Sequence, residues 1–323
     1  MNFATIIADL PSERTIEFGS VEENEEFMLR HGVNQEMRQL RKGPFQSALA
    51  LRSTESADLY ADRFSAACRM YLEAPPDKVG LVWLRSPVAP VLASGVDVAG
   101  DKLVFVPSGS VVGLVTPDLA CSESIAIPTE QFNSLFSELY PLYTPPEQLA
   151  IIEGDEKILQ ILRGKLLSLL RGPAEGVCPE AISSLLSMIF SWIGDAPGSC
   201  PPEELNAQST RRRVAKRAEE FILVHYHDNV HIEDICRATG VGVRTLQRCV
   251  REYFDVTLTE FLESVRLSSA HRELSALNPS DTTVTYIALD SGFSHLGRFS
   301  EAYRQRYGIA PSEELAHRPG QKS

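Results

Sequence analysis

The chain of 323 residues lacks the sequence patterns of several protein classes. Its six cysteines stand far apart and form no C-x-x-C pair, which is typical of reduced thiols in a cytoplasmic protein and not of a disulfide framework. The chain contains no run of about 18 uninterrupted apolar residues, the pattern that would predict a membrane span. Its N-terminus has neither the basic segment nor the apolar core of a signal peptide. We therefore expect a cytoplasmic protein without a membrane partner.

Catalytic motifs are also missing. The first 210 residues contain a single histidine, His31, whereas a metal-dependent enzyme built on a β-barrel needs two or three clustered histidines and a carboxylate. Neither a G-x-S-x-G nucleophile motif nor a phosphate-binding G-x-x-x-x-G-K motif occurs. These absences predict that the chain is not an enzyme and holds neither a metal nor a cofactor.

The charge of the chain shows no positive excess. A net charge of −12 argues against a protein that coats nucleic acid, because phosphates attract positive surface. However, a proline-rich stretch at residues 195–209 divides the chain into parts of unlike charge. Residues 1–210 contain 15 basic and 28 acidic side chains, a net charge of −13, and residues 211–323 contain 16 and 15, a net charge of +1. We interpret residues 195–209 as a linker between domains at 1–194 and 210–323.

The first domain has the pattern of an α+β fold. Short runs with β-branched or alternating residues predict strands at 45–52, 79–85, 88–98, 103–107, 111–117 and 124–128. Such spacing is typical of a β-barrel or sandwich. Helices with wide apolar faces are expected at 129–140, 156–171 and 179–193. Those faces either pack on the sheets or form the seam of a dimer.

The second domain is all-α and contains an internal repeat. The segment 232–240 and the segment 284–292 each place an apolar and a small residue five and four positions before a glycine. A helix-turn-helix needs this pattern, because the small residue lets the helices cross closely and the glycine adopts the left-handed conformation of the turn. Apolar anchors follow in both copies, Leu246 and Val250 in the first and Phe299 and Tyr303 in the second.

One long helix is expected to join the two units. Residues 257–277 carry apolar side chains at helical spacing after a capping-box pattern, Thr257 with Glu260. About 18 helical residues span roughly 27 Å, near the ~34 Å that separates successive major grooves on one face of B-DNA. The predicted order is therefore a helix-turn-helix at about 231–254, a linking helix, and a helix-turn-helix at about 283–307.

Four motifs of this region lie at residues 240–248, 265–270, 292–300 and 307–312. They resemble the DNA-binding domain of the AraC/XylS family of bacterial transcription regulators, and the resemblance covers about 211–316. Gly242 stands where the family often has a capping serine, and Glu301 stands where a neutral or basic residue is frequent. The resemblance implies double-stranded DNA and RNA polymerase as partners, a homodimer, and a small-molecule effector for an N-terminal sensor domain.

The resemblance assigns DNA contacts to the second helix of each unit. Arginine pairs bidentately with guanine, and glutamine pairs in the same way with adenine. The predicted base contacts are Arg244, Gln247 and Arg248 in the first unit and His295, Leu296 and Arg298 in the second. The predicted phosphate contacts, which position the protein without reading sequence, are Thr245, Arg251, Ser294, Arg304, Arg306, Arg211, Arg212 and Arg213.

Two of these assignments have a structural alternative. Leu296 either packs on a thymine methyl group or belongs to the core. The basic run at 211–213 either follows a phosphate backbone or is the exposed end of the linker.

The resulting hypothesis is a sequence-specific, effector-responsive transcription activator. One alternative is a ligand-independent regulator whose N-terminal half oligomerises or binds a protein partner, and a second is a cupin-like enzyme tethered to DNA. No residue is assigned to an effector site, although an apolar pocket with a few polar groups is expected. Conceivable lining residues are Phe45, Arg52, Tyr60, Tyr71, Trp83 and Arg85.

Overall fold

The computed structural model describes residues 2–98, 102–139, 146–172, 179–195, 209–277 and 282–316. Contacts between Cα atoms divide the chain into two units. The first comprises Met1–Met37 with Gln46–Leu205, and the second comprises Arg38–Phe45 with Asn206–Ser323. The predicted linker at 195–209 lies, apart from its two end residues, outside the described residues. The division into domains at that stretch stays a prediction.

The first unit contains two antiparallel sheets. The seven-stranded sheet has the order β1 (Thr15–Phe18), β3 (Ser47–Ser53), β4 (Asp58–Phe64), β11 (Ala120–Pro128), β6 (Lys78–Arg85), β9 (Lys102–Val106) and β12 (Ala150–Glu153). The five-stranded sheet has the order β2 (Asn34–Gln39), β5 (Cys68–Glu73), β10 (Val111–Thr116), β7 (Leu92–Ala93) and β8 (Val96–Asp97). Among the described strands neither sheet closes on itself, so the fold is a sandwich and not a closed barrel.

Helices cover one face of the seven-stranded sheet. The first unit has α1 (Phe3–Ile7), α2 (Val21–Arg30), α3 (Thr129–Leu139), α4 (Glu156–Arg171) and α5 (Pro179–Asp195). Side chains of α3, α4 and α5 join those of β4, β6 and β11 in one apolar core. Because side chains alternate along a strand, the residues between the core positions point to the other face, toward the five-stranded sheet.

The face under the helices also holds a buried ion pair. Arg63 of β4 and Glu123 of β11 are fully buried and lie 2.6 Å apart, with Asp9 at 3.0 Å from the same guanidinium group. Arg163 of α4 lies 3.2 Å from the Glu123 carboxylate. This network joins the helix layer to the sheet. Removing one partner of such a buried pair is strongly destabilising, because the other charge is left buried and unpaired.

The second unit is helical in all its described elements apart from the segment Arg38–Phe45. Its helices are α6 (Ser209–His225), α7 (Ile232–Thr239), α8 (Val243–Phe254), α9 (Leu258–Ala276), α10 (Val284–Asp290), α11 (Leu296–Tyr307) and α12 (Pro311–Ala316). The two predicted helix-turn-helix units are therefore α7 with α8 and α10 with α11, and α9 is the predicted linking helix. All four predicted anchors, Leu246, Val250, Phe299 and Tyr303, are buried.

The linking helix begins as its sequence predicts. The Thr257 hydroxyl accepts a hydrogen bond from the Glu260 backbone N–H at 3.2 Å, and the Glu260 carboxylate accepts one from the Thr257 N–H at 2.7 Å. This capping box satisfies two backbone groups at the start of α9. With 19 residues, α9 is about 28 Å long.

The two turn glycines adopt the left-handed conformation but differ in their surroundings. Gly240 has φ +73° and Gly292 has φ +84°. A Cβ atom on Gly240 would meet nothing within 4 Å, whereas one on Gly292 would lie 2.4 Å from the Tyr226 carbonyl oxygen. Arg266 of α9 donates a hydrogen bond to that same oxygen at 2.7 Å. The second turn is thus packed against the loop before α7.

Thiols, possible metal ligands and apolar helices can be surveyed in the described residues. Cys68, Cys121, Cys236 and Cys249 are free thiols. The described part of the chain contains no cluster of His, Cys, Asp or Glu that could hold a metal ion. None of the helices that the structure describes combines the length and apolar composition that crossing a bilayer requires.

We predict that the two turns tolerate alanine unequally. Gly240→Ala should lower the free energy of unfolding by about 1–2 kcal/mol, the cost of a left-handed non-glycine residue. Gly292→Ala should cost a further ~1–3 kcal/mol, because its methyl group overlaps a backbone carbonyl that cannot move freely. Urea unfolding followed by far-UV circular dichroism measures both. Equal losses would contradict the close approach of Gly292 to Tyr226.

Candidate nucleic-acid interface and effector cavity

The first recognition helix, α8, presents one exposed polar face. Leu246, Cys249 and Val250 anchor the opposite face in the core. Because residues three and four apart share a side of a helix, this burial turns four residues outward together. They are Arg244, Gln247, Arg248 and Arg251, all exposed. The predicted base-reading residues of the first unit therefore lie on one accessible surface; their contact with bases stays a prediction.

Glu252 restrains this face. Its carboxylate lies 3.9 Å from the Arg248 guanidinium group and 3.0 Å from that of Arg211 on α6. All three side chains are about half exposed, so each ion pair contributes little to stability in water. A phosphate or base edge could replace the carboxylate at small cost. The pairing was missed from sequence, although the four-residue spacing of Arg248 and Glu252 would have indicated it.

The second recognition helix, α11, exposes a less basic face. Ser294, His295, Leu296 and Arg298 are all exposed around its N-terminus. Leu296 has 39% of its surface accessible, which favours its interpretation as a surface contact over a core position. Farther along, Arg304 is exposed, and Glu301 accepts a hydrogen bond from Gln305 at 3.2 Å. Glu301 thus places negative charge on this face.

Arg306 does not lie with the other predicted phosphate contacts. Only 3% of it is accessible, and its guanidinium group donates to the Ser264 carbonyl oxygen at 3.4 Å and to the Gln39 carbonyl oxygen. The segment Arg38–Phe45 belongs to this unit and is also held by Lys42, 3.3 Å from Glu263. The prediction of a phosphate contact at Arg306 is wrong, because its side chain is buried and hydrogen-bonded to other residues of the second unit.

The remaining predicted phosphate contacts lie near α8. Arg211 and Arg213 on α6 and Arg251 on α8 are exposed, while Arg212 and Thr245 are half-buried. Their contact with phosphates stays a prediction.

A cavity lies between the two sheets of the first unit, with a volume of about 90 Å³. Its floor consists of small side chains on the seven-stranded sheet, Gly80, Ser122, Ser124 and Ala126. Larger apolar side chains form the walls: Val82, Leu84, Val104, Val106, Met70, Leu72, Val112 and Leu114. The small residues of the floor explain why space remains between the layers.

Asp62 is an acidic residue that lines this cavity on the side of the seven-stranded sheet. It stands directly opposite Ser122 in the register of β4 and β11. Burial, opposed by Arg63 and assisted by Glu123, raises the pKa of the Asp62 carboxyl to about 7. Asp62 is therefore partly protonated at neutral pH, unlike an ordinary surface aspartate.

Of the six conceivable lining residues from sequence, only Tyr60 lines this cavity. Burial raises the pKa of its phenol, and the nearby Asp58 adds to the shift. Trp83 belongs instead to the apolar core under the helices, and Arg85 lies in the Asp9–Glu123 ion-pair network. Asp62 was missed because strand β4 was not predicted.

The sequence is similar to known regulators. A family described as "Helix-turn-helix domain" matches residues 235–317. The probable thc operon regulatory protein of Rhodococcus erythropolis is 31% identical over 102 residues, which cover 32% of this chain and 31% of that protein. The HTH-type transcriptional regulator ExsA of Pseudomonas aeruginosa is 31% identical over 224 residues, which cover 66% of this chain and 77% of ExsA.

The chain belongs to the AraC/XylS family. The chain spans about a third of the length of several curated relatives, in a match of about 100 residues. Among solved structures, that of a probable AraC family transcriptional regulator from Rhodopseudomonas palustris is 35% identical and covers 32% of this chain and 94% of that one, with a TM-score of 0.30. Membership in the AraC/XylS family confirms the resemblance of the four motifs.

We predict that Asp62→Asn stabilises the protein above neutral pH. The folded-state pKa of about 7 exceeds the usual value near 4, so stability is highest below pH 4 and is lost as the pH rises through 7. Asparagine carries no charge and removes that loss, which should raise the free energy of unfolding at pH 8 by about 1–3 kcal/mol.

Urea unfolding at pH 4.5 and pH 8 checks this prediction. The two proteins should be closely matched at pH 4.5. The control Asp77→Asn, at an exposed position, should change stability little at either pH. An Asp62→Asn protein no more stable than the original at pH 8 would show that the carboxyl is well solvated.

Proposed function

We propose that the chain is a sequence-specific, DNA-binding transcription regulator that acts as an effector-responsive activator. The observation that carries this proposal is the second unit: two helix-turn-helix units joined by the 19-residue α9, with an exposed arginine- and glutamine-containing face on α8. Such a pair of recognition helices can enter successive major grooves. The names of the relatives, an operon regulatory protein and a transcriptional regulator, support the same function.

The cavity of the first unit supports the effector part of the proposal. Small-molecule sites are concave, largely apolar and equipped with a few polar groups, and this cavity has that composition. An effector that binds there would shift the population of the arrangements that engage DNA, since a ligand favours the state it binds better. RNA polymerase is the partner through which we propose that activation occurs, on the ground of family membership.

A test of DNA reading compares two arginines of the same helix-turn-helix. Arg248 lies on the exposed face of α8, whereas Arg237 lies on α7 beside Asp234, at 3.2 Å. After selection of a binding site from random duplex DNA, Arg248→Ala should cost about 1–3 kcal/mol on the selected site and relax one base position. Each variant removes one positive charge, so Arg237→Ala measures the nonspecific loss.

Fluorescence anisotropy on the selected site and on random DNA, at one salt concentration, gives both values. Equal losses for Arg248→Ala on the two DNAs would place this residue on phosphates. Absence of any enriched site in the selection would contradict the proposed function itself.

We also propose that the first unit forms a homodimer through α4. Ile158 and Ile161 share one side of this helix and remain 41% and 59% accessible, although most of its other apolar residues are buried. An exposed pair of isoleucines next to a well-packed core favours a contact with a second chain. The same observation supports the alternative of a ligand-independent regulator whose first unit oligomerises.

We predict that Ile161→Asp weakens this dimer without unfolding the protein. A charge placed in an apolar contact loses its hydration when the contact forms, so the dimer dissociation constant should rise at least tenfold, by about 1.4 kcal/mol or more. Sedimentation velocity across a concentration series measures it. Val88→Asp, at another exposed apolar residue of the unit, is the control. An unchanged dimer in Ile161→Asp would exclude α4 as the seam.

A further inference from the structure

The cavity between the sheets contains oxygen atoms that the fold leaves without partners. The carboxylate of Asp62 and the hydroxyl groups of Ser122 and Ser124 line it and form no side-chain hydrogen bond or ion pair with any residue that the structure describes. Asp62 and Ser122 are direct cross-strand neighbours, and Ser124 is one pair farther along the same face. Side chains at such positions lie within reach of one common ligand atom.

The other polar side chains of the cavity already have partners. Tyr60 is bonded to Asp58, Lys78 is paired with Asp58, Gln35 is bonded to Asn24, Glu73 to Asn34, and Thr116 to the backbone of Cys68. These groups satisfy one another within the fold. Among the described residues that line the cavity, Asp62 and the two serines are thus the polar groups whose hydrogen bonds a ligand would have to supply.

The surroundings of this set determine which ligands suit it. A carboxylate among apolar walls is costly unless a cation or several donors replace its water. An anionic ligand would add repulsion to that cost, and an alcohol offers only one donor. An ammonium group offers three N–H donors and one positive charge, which match three unpartnered oxygen groups, one of them acidic.

The size of the cavity limits the rest of the ligand. A cavity of ~150 Å³ holds benzene with its six carbon atoms, so one of about 90 Å³ holds a molecule of roughly four non-hydrogen atoms. Most of the wall residues are aliphatic, and Tyr60 and Phe64 flank Asp62 on β4, so the walls suit a short apolar chain.

We propose that the cavity binds a small primary amine in its ammonium form, with the nitrogen at Asp62, Ser122 and Ser124 and a short apolar chain against the walls. This inference rests on the proposed function only in taking the cavity as the effector site.

Binding of an ammonium ion requires the ionised form of Asp62 and therefore depends on pH. With a carboxyl pKa of about 7, the ionised fraction is about tenfold larger at pH 8 than at pH 6. The charged groups around it are the Asp58–Lys78 pair and Glu73 in the cavity wall, and Arg63 and Glu123 on the opposite face of the sheet. The amine remains protonated over this range, so its affinity should rise about tenfold from pH 6 to pH 8.

The test uses the full chain and three probes of similar size: n-propylamine, 1-propanol and propionate. Ligand-observed NMR and isothermal titration calorimetry measure their dissociation constants at pH 6 and pH 8. We expect n-propylamine to bind at least tenfold more tightly than either other probe at pH 8, with the stated pH dependence. Asp62→Asn should lose at least tenfold in affinity for the amine and should lose the pH dependence. The control Asp77→Asn should retain both.

Three outcomes would overturn the inference. They are equal or tighter binding of propionate, unchanged amine binding by Asp62→Asn with native circular dichroism, and no binding of the amine by a folded protein. DNA binding without any amine is measured on the same preparation. Intact DNA binding with no amine binding overturns this inference alone, whereas amine binding by a protein that selects no DNA site overturns the proposed function alone.

Discussion

The geometry of the second unit depends on one backbone atom, the carbonyl oxygen of Tyr226. Arg266 of the linking helix donates to it at 2.7 Å, and Gly292 approaches it so closely that no other residue has room for its Cβ atom. Arg266 also donates to the Asp228 carbonyl oxygen at 2.9 Å. This contact joins the loop before the first helix-turn-helix, the linking helix and the second turn, so it restrains the second turn against the loop that leads into the first unit. Under the proposed function, in which both recognition helices enter successive major grooves, such a restraint helps to keep their separation constant.

In the first unit, alternate residues of the same strands form an ion pair on one face of the seven-stranded sheet and line the cavity on the other face. Arg63 and Glu123 point toward the helices and neutralise each other in a 2.6 Å ion pair. Their neighbours Asp62 and Ser122 point to the other face, where small residues leave a cavity. The same strands therefore hold the layers together on one face and leave an acidic residue available on the other. A shift of register by one residue would exchange the two sets.

The sequence predicted those parts of the fold in which apolar periodicity is uninterrupted. The helix α4 has the predicted bounds, and Leu246 and Val250 determine which side of α8 faces outward. Strand β4 was missed because Asp58, Asp62 and Arg63 interrupt its apolar alternation. Asp58 and Arg63 pair with Lys78 and Glu123, which are distant in sequence, and Asp62 faces the cavity. Arg306 was misassigned for the same reason, since its partners Ser264 and Gln39 lie 42 and 267 residues away. Propensity and spacing are local, whereas burial of a charge depends on the tertiary partner.

The near-neutral charge of the second part of the chain suits a protein that must discriminate between DNA sequences. Each phosphate neutralised by an arginine strengthens binding to all sequences equally, and a genome offers a great excess of wrong sites. Glu252 beside Arg248, and Glu301 on α11, offset part of that attraction. A bidentate base contact gains free energy only at the correct base. Under the proposed function, a modestly charged domain therefore binds every DNA site more weakly than a strongly basic one would. The ratio of its affinities for the right and the wrong site is then determined by the base contacts of α8 and α11.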